Sequence, residues 1–110
     1  FIKDATLDAA TEIEAITQFI IEQAAENVDF PNAAAVDYLH AVGLLSFAYM
    51  FAKIAAAAKD KSGDFYQNKL ALAQYFVDRI LPELDSRLAK IKAGSDLIMN
   101  FSEDYFTNQA

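Results

Sequence analysis

From Phe65 to Ile91 apolar residues recur at alternating steps of three and four: Tyr66, Leu70, Ala73, Val77, Ile80, Leu84, Leu88 and Ile91. This spacing lays one apolar seam along a helix. Phe65, Leu72 and Phe76 widen it at its start. Pro82 interrupts the pattern, removes a hydrogen bond to the Asp78 carbonyl and predicts a bent helix, or two abutting ones. Glu83 and Arg87 stand in the favoured order for an i,i+4 ion pair. A second pattern, Ala9, Ile13, Ile16, Ile20 and Ala24 with Phe19 alongside, predicts a helix from Thr6 to Asn27, with Thr6 as its N-cap and residues 1–5 frayed. That helix should stop before Asp29-Phe30-Pro31-Asn32, because proline pushes the preceding residue toward extended geometry.

Asn32 then caps a helix running to about Lys59. It carries two apolar stripes. Tyr38, Val42, Leu45, Tyr49, Ala52 and Ala56 form one; Leu39, Gly43, Phe47, Met50 and Ile54 form the other. Little polar face is left, so this helix is central or is covered by something outside the chain. Its uncharged run between His40 and Lys53 is shorter than the ~18–20 residues that a bilayer requires, which argues against a membrane span. Residues 59–63 read as a turn, with Asp64 and Gln67 as a capping box for the next helix. Gly94 reads as the left-handed stop, with Lys90 and Lys92 near the helix's negative end. Ser95 starts a short helix through Asn100, and Phe101, Tyr105 and Phe106 are expected to anchor the tail. The pattern therefore predicts an all-α fold: an antiparallel up-down bundle of three long helices plus a short C-terminal helix, one domain over residues 1–110.

Composition narrows the function. The 110 residues are 55% hydrophobic with only three Gly and two Pro, which suits a few long helices. A net charge of −7 disfavours nucleic acid and anionic membrane. With no Cys there are no disulfides and no thiolate metal sites, which fits a reducing compartment, and we expect the cytoplasm. The chain opens on Phe1 without a basic region and apolar stretch, so it reads as a piece of a longer polypeptide, or as one whose leader was removed.

Chemistry-bearing patterns are sparse. Asp37 and His40 share a helix face, but di-iron bundles need a second carboxylate–histidine pair, and the chain has one His. Glu22 and Glu26 lie opposite the apolar stripe and read as a solvated face. The three Gly are too far apart to cradle a phosphate, and no nucleophile motif is present. Tyr38, Tyr49, Tyr66 and Tyr75 read mainly as core, with ligand lining the lesser reading. No catalytic, cofactor-binding or metal residue is assigned. Phe47, Met50, Phe51 and Ile54 cannot all face neighbouring helices, so they form the candidate interface, through which self-association is expected.

Phe65-Tyr66-Gln67-Asn68-Lys69-Leu70, Ala73, Tyr75-Phe76, Leu81-Pro82 and Gly94 resemble, in order and spacing, the extra C-terminal helical domain of one branch of the acyl-CoA dehydrogenases. Tyr38-Leu39, Gly43 and Tyr49 resemble the preceding helix of that domain. The branch includes enzymes acting on 3-methylmercaptopropionyl-CoA and similar acyl thioesters. The resemblance implies a parent that uses FAD to form an α,β-double bond in an acyl-CoA, as in fatty-acid metabolism. A glutamate base and flavin-contacting loops would lie in upstream domains. It implies no cofactor in this chain and a packing role, with those upstream domains and a homo-oligomer as partners. An independent helical protein-interaction module is the alternative, and a small bundle enzyme or metal carrier is the third reading.

Overall fold

The helix Phe30–Ala58, α2, is the spine of the molecule. The computed structural model describes residues 1–100, 102 and 103. Around α2 lie α1 (Ile2–Glu26), α3 (Asp64–Tyr75), a single π turn (Phe76–Ile80), α4 (Glu83–Lys92) and the short α5 (Asp96–Met99), with no strand among the described residues. Thr6 meets Ala48 and Thr17 meets Tyr38, so α1 and α2 run in opposite directions. Phe51 meets Phe76 and Asp37 meets Arg87, so the α3–α4 rod runs opposite to α2 as well.

The face that α2 turns to its neighbours is built from small residues. Ala34, Ala41, Ala48 and Ala55 stand one heptad apart, joined by Leu44 and Ala58, and all are buried. This stripe lies between the two stripes expected from the large residues. Small side chains let the facing backbones approach closely. Ala9, Ile13 and Ile16 of α1 and Leu84, Leu88 and Ile91 of α4 pack over its first half. Ile2, Ala73 and Phe76 pack over its second half. Both flanking rods make most of their contacts with α2 and few with each other. The result is a slab of 65 × 36 × 14 Å rather than a closed bundle. Its radius of gyration is 18.9 Å, against about 13 Å for a compact domain of this length.

Several local expectations give way to packing. α1 starts at Ile2 instead of fraying to Thr6, because Ile2 is a core residue, 6% exposed. Thr6 is therefore mid-helix. Its hydroxyl donates to the Ile2 carbonyl at 2.7 Å instead of capping. α2 starts at Phe30, not after Asn32, and Pro31 sits inside its first turn. The first-turn amides have no partner in the helix, so proline costs nothing there. The bias against helical geometry at Phe30 is outweighed by burial of its ring beside Phe19, at a centroid distance of 5.6 Å. The turn before α3 needs φ +108° at Gly63. Gly63 thereby becomes the cap, Asp64 the first helical residue, and the Gln67 amide bonds to the Gly63 carbonyl.

Pro82 breaks the long seam as expected, but the break begins a turn earlier. Leu81 N–H donates to the Phe76 carbonyl at 2.8 Å, a five-residue step. The extra residue of this π turn advances the seam. It runs through Ala73, Phe76 and Leu81 to Leu84, and Ile80 is pushed outward to 38% exposure. The expected Glu83–Arg87 pair forms at 3.0 Å. α4 ends at Lys92 with Ala93 as its C-cap, and Gly94 follows at φ +87° as the expected left-handed stop. That reversal aims buried Ser95 at Asn27, whose Nδ2 donates to Ser95 Oγ at 2.8 Å. The expected short helix from Ser95 is α5. Phe101, Tyr105 and Phe106 lie outside the described residues.

α2 also passes the length and composition test for a bilayer span. Its most apolar 18-residue window has a mean hydropathy of 1.7 and is 28% buried. The expectation based on the uncharged run alone is thus not decisive, since a soluble protein's core helix passes the same test.

Gly94→Ala tests the stop. The new Cβ would lie 3.9 Å from Phe30 Cε2, an ordinary contact, so only backbone strain opposes it. Urea denaturation should show a loss of about 1–2 kcal/mol; an unchanged midpoint would mean that the reversal is not needed.

Candidate functional site

Opposite its alanine stripe, α2 presents large apolar side chains to solvent. Val36, Leu39, Phe47, Met50 and Ile54 are 37–70% exposed. They follow from the heptad itself. When small residues occupy the inward positions, the large ones one or two residues along the chain from them point away. Of the four residues expected to form an interface, Phe47, Met50 and Ile54 share this face. Phe51 does not. One residue further round, its ring stacks on Phe76 at 5.0 Å, half-buried. Val36, which belongs to neither expected stripe, stands one heptad before Gly43. At Gly43 a Cβ would meet nothing within 4 Å.

The apolar face continues into a groove of about 560 Å³ between α1 and α2, lined by Ile20, Ile21, Ala34, Tyr38, Leu39 and Val42 among others. Its two hydroxyls bond each other, Thr17 Oγ1 to Tyr38 OH at 2.6 Å. A second groove, of about 400 Å³ between α1 and α4, carries Glu12, Asp85 and Lys92 on its rim.

The other sequence candidates do not converge. Tyr49 and Tyr66 lie under lysines, with Lys53 Nζ 5.3 Å and Lys61 Nζ 5.4 Å from the ring centroids, while Tyr75 is exposed. Asp37 turns away from exposed His40 and accepts from Arg87 Nη1 at 3.0 Å. The same guanidinium donates to Glu83. Hydrogen bonds from Arg87 to Asp37, then to Glu83, raise its pKa above an already high ordinary value, so this clamp between α2 and α4 stays charged. Its long-range half had no signal in the sequence. Glu22 is exposed and accepts from Gln18 at 3.3 Å, and Glu26 is exposed. No cluster of three or more His, Asp or Glu is present among the described residues.

The described residues thus form an all-helical slab with a developed apolar surface on α2. Residues 2–102 match the family described as acetyl-CoA dehydrogenase C-terminal like, and the chain belongs to that family. It is a C-terminal domain of the acyl-CoA dehydrogenase type. No curated protein matches the chain, and no solved structure does.

The FAD that such a family implies does not fit the residues present. The larger groove offers no cation for a pyrophosphate and no free hydroxyl, and the smaller one sets two carboxylates, Glu12 and Asp85, against the single cation Lys92. Tyr38→Phe checks the structural role of its hydroxyl. Chemical denaturation should show a loss of about 0.5–1.5 kcal/mol, with Tyr75→Phe unchanged. Equal values for the two would mean that the Thr17 bond contributes nothing.

Proposed function

We propose that this chain is the non-catalytic C-terminal domain of a cytoplasmic, FAD-dependent acyl-CoA dehydrogenase, and that it packs between domains or subunits. In this reading its three rods form an up-down helical layer with α2 in the middle. The flavin, the glutamate base and the acyl thioester belong to the upstream domains. The branch acting on 3-methylmercaptopropionyl-CoA and similar thioesters is the one its motifs resemble.

The observation that carries the reading is the outer face of α2. Leaving each of those side chains in water forfeits roughly 1.5–3 kcal/mol relative to burial. Among the described residues nothing covers them. Protein suits that face better than bilayer. α1 and α4 bring Glu12, Glu14, Asp85 and Lys92 alongside the same spine, and lipid would leave these charges without water.

Two measurements test this. The chain alone, assayed with an acyl-CoA panel and an electron acceptor, should show no turnover and retain no flavin; stoichiometric flavin absorbance would overturn the reading. In the polypeptide that carries the flavin domains, Phe47→Glu should lower the thermal midpoint by several degrees while flavin content is kept. An unchanged midpoint would place this face in solvent and remove the packing role.

A further inference from the structure

The outer face of α2 is a seam, not a scatter. Val36, His40, Gly43, Phe47, Met50 and Ile54 follow one another at steps of four and three over about 27 Å of helix. This is the heptad spacing by which one helix packs along another. At its middle a small residue, Gly43, sits beside a large one, Phe47, and the space over Gly43 is open.

We propose that this seam is the two-fold interface of a homodimer, in which α2 pairs antiparallel with α2 of a second copy about an axis at the level of Leu45. The proposal rests on the reading of this face as a packed one and names its partner. In this register, residues whose numbers add to 90 lie opposite each other. Phe47 sits over the partner's Gly43, Met50 over the partner's His40, and Ile54 over the partner's Val36. A parallel pair would instead set Phe47 against Phe47 and leave a void between two Gly43. The antiparallel register places each Phe47 in the open space over the partner's Gly43, and the two-fold repeats every contact.

Charge favours a second copy as the occupant. The chain carries −7, yet α2 has no carboxylate from Tyr38 to Ala58. Two acidic copies can therefore meet here without opposing like charges. Size agrees as well. Val36, Leu39, Phe47, Met50 and Ile54, with Ile21 beside them, expose roughly 100 Å² each, most of the ~800 Å² per partner of a stable interface. Two slabs, each 14 Å thick, would then stack into a body of ordinary globular depth.

The chain has no Cys, which makes the register directly testable. In His40→Cys/Met50→Cys the two thiols of one chain are about 15 Å apart along the helix, too far to bond each other. Mild oxidation should therefore give a covalent dimer from the double variant and monomer from either single variant. Gly43→Leu fills the seat of the partner's Phe47. It should weaken dimerisation at least about tenfold in sedimentation experiments, with helicity by circular dichroism unchanged. Efficient cross-linking by Met50→Cys alone would overturn the antiparallel register. A folded chain that stays monomeric at high micromolar concentration would overturn the dimer. If Phe47→Glu still destabilised the flavin-domain polypeptide in that case, only the dimer would fall, and the packing role would stand.

Discussion

The close approach of helices across the alanines of α2 is the contact on which the other features depend. Ala34, Ala41, Ala48 and Ala55 each remove little apolar area from water, but they bring the flanking rods close enough for larger residues to be covered. Ile16 and Ile91, each 2% exposed, and Phe76 are buried because the surface they meet is shallow. The same choice fixes the outside. A helix that turns its small residues inward at heptad spacing carries large ones outward, and among the described residues Val36, Leu39, Phe47, Met50 and Ile54 stay uncovered.

An alanine surface holds neighbouring helices near but not in register, because it offers few knobs to interdigitate. Polar links between elements supply that register. Thr6 reaches the Ala48 carbonyl, Thr17 meets Tyr38, Arg87 meets Asp37, and Asn27 meets Ser95. They are spaced along the spine, and each ties a different pair of points. Asn27 does so while its Oδ1 also accepts the Asp29 amide at 3.0 Å, so one side chain closes the α1–α2 turn and holds the end of α4. The π turn serves the same alignment. Its extra residue brings Phe76 and Leu84, both buried, nearer to one line along the rod.

The stripe of α1, the break at Pro82 and the stop at Gly94 were legible in the sequence, because each rests on local physics that nothing nearby opposes. So was membership of the dehydrogenase-related family, since motifs spread from Tyr38 to Gly94 keep their order. The start of α2 was not legible. Proline's local bias pointed one way and the burial of Phe30 the other, and burial depends on residues far along the chain. The inward stripe was hidden for a different reason. Periodicity weighs large apolar residues, and on α2 these mark the outside. Phe51 shows the ambiguity at a single position, since one 100° step separates a ring stacked on Phe76 from the exposed side chain of Met50.

The fate of the polar groups bears on function as much as the apolar face does. Among the described residues no buried side-chain nitrogen or oxygen lacks a hydrogen-bond partner. The groups that reach toward the interior are already joined to one another: hydroxyl to hydroxyl in the α1–α2 groove, guanidinium to two carboxylates between α2 and α4, amide to hydroxyl at the hairpin end. A site that binds a polar ligand keeps donors or acceptors waiting for it, at a cost in stability until the ligand arrives. Here that capacity is spent on holding three rods in register. The exposed apolar side chains at heptad spacing lie along one side of α2, and in the reading proposed above it is their shape that a second protein surface would match.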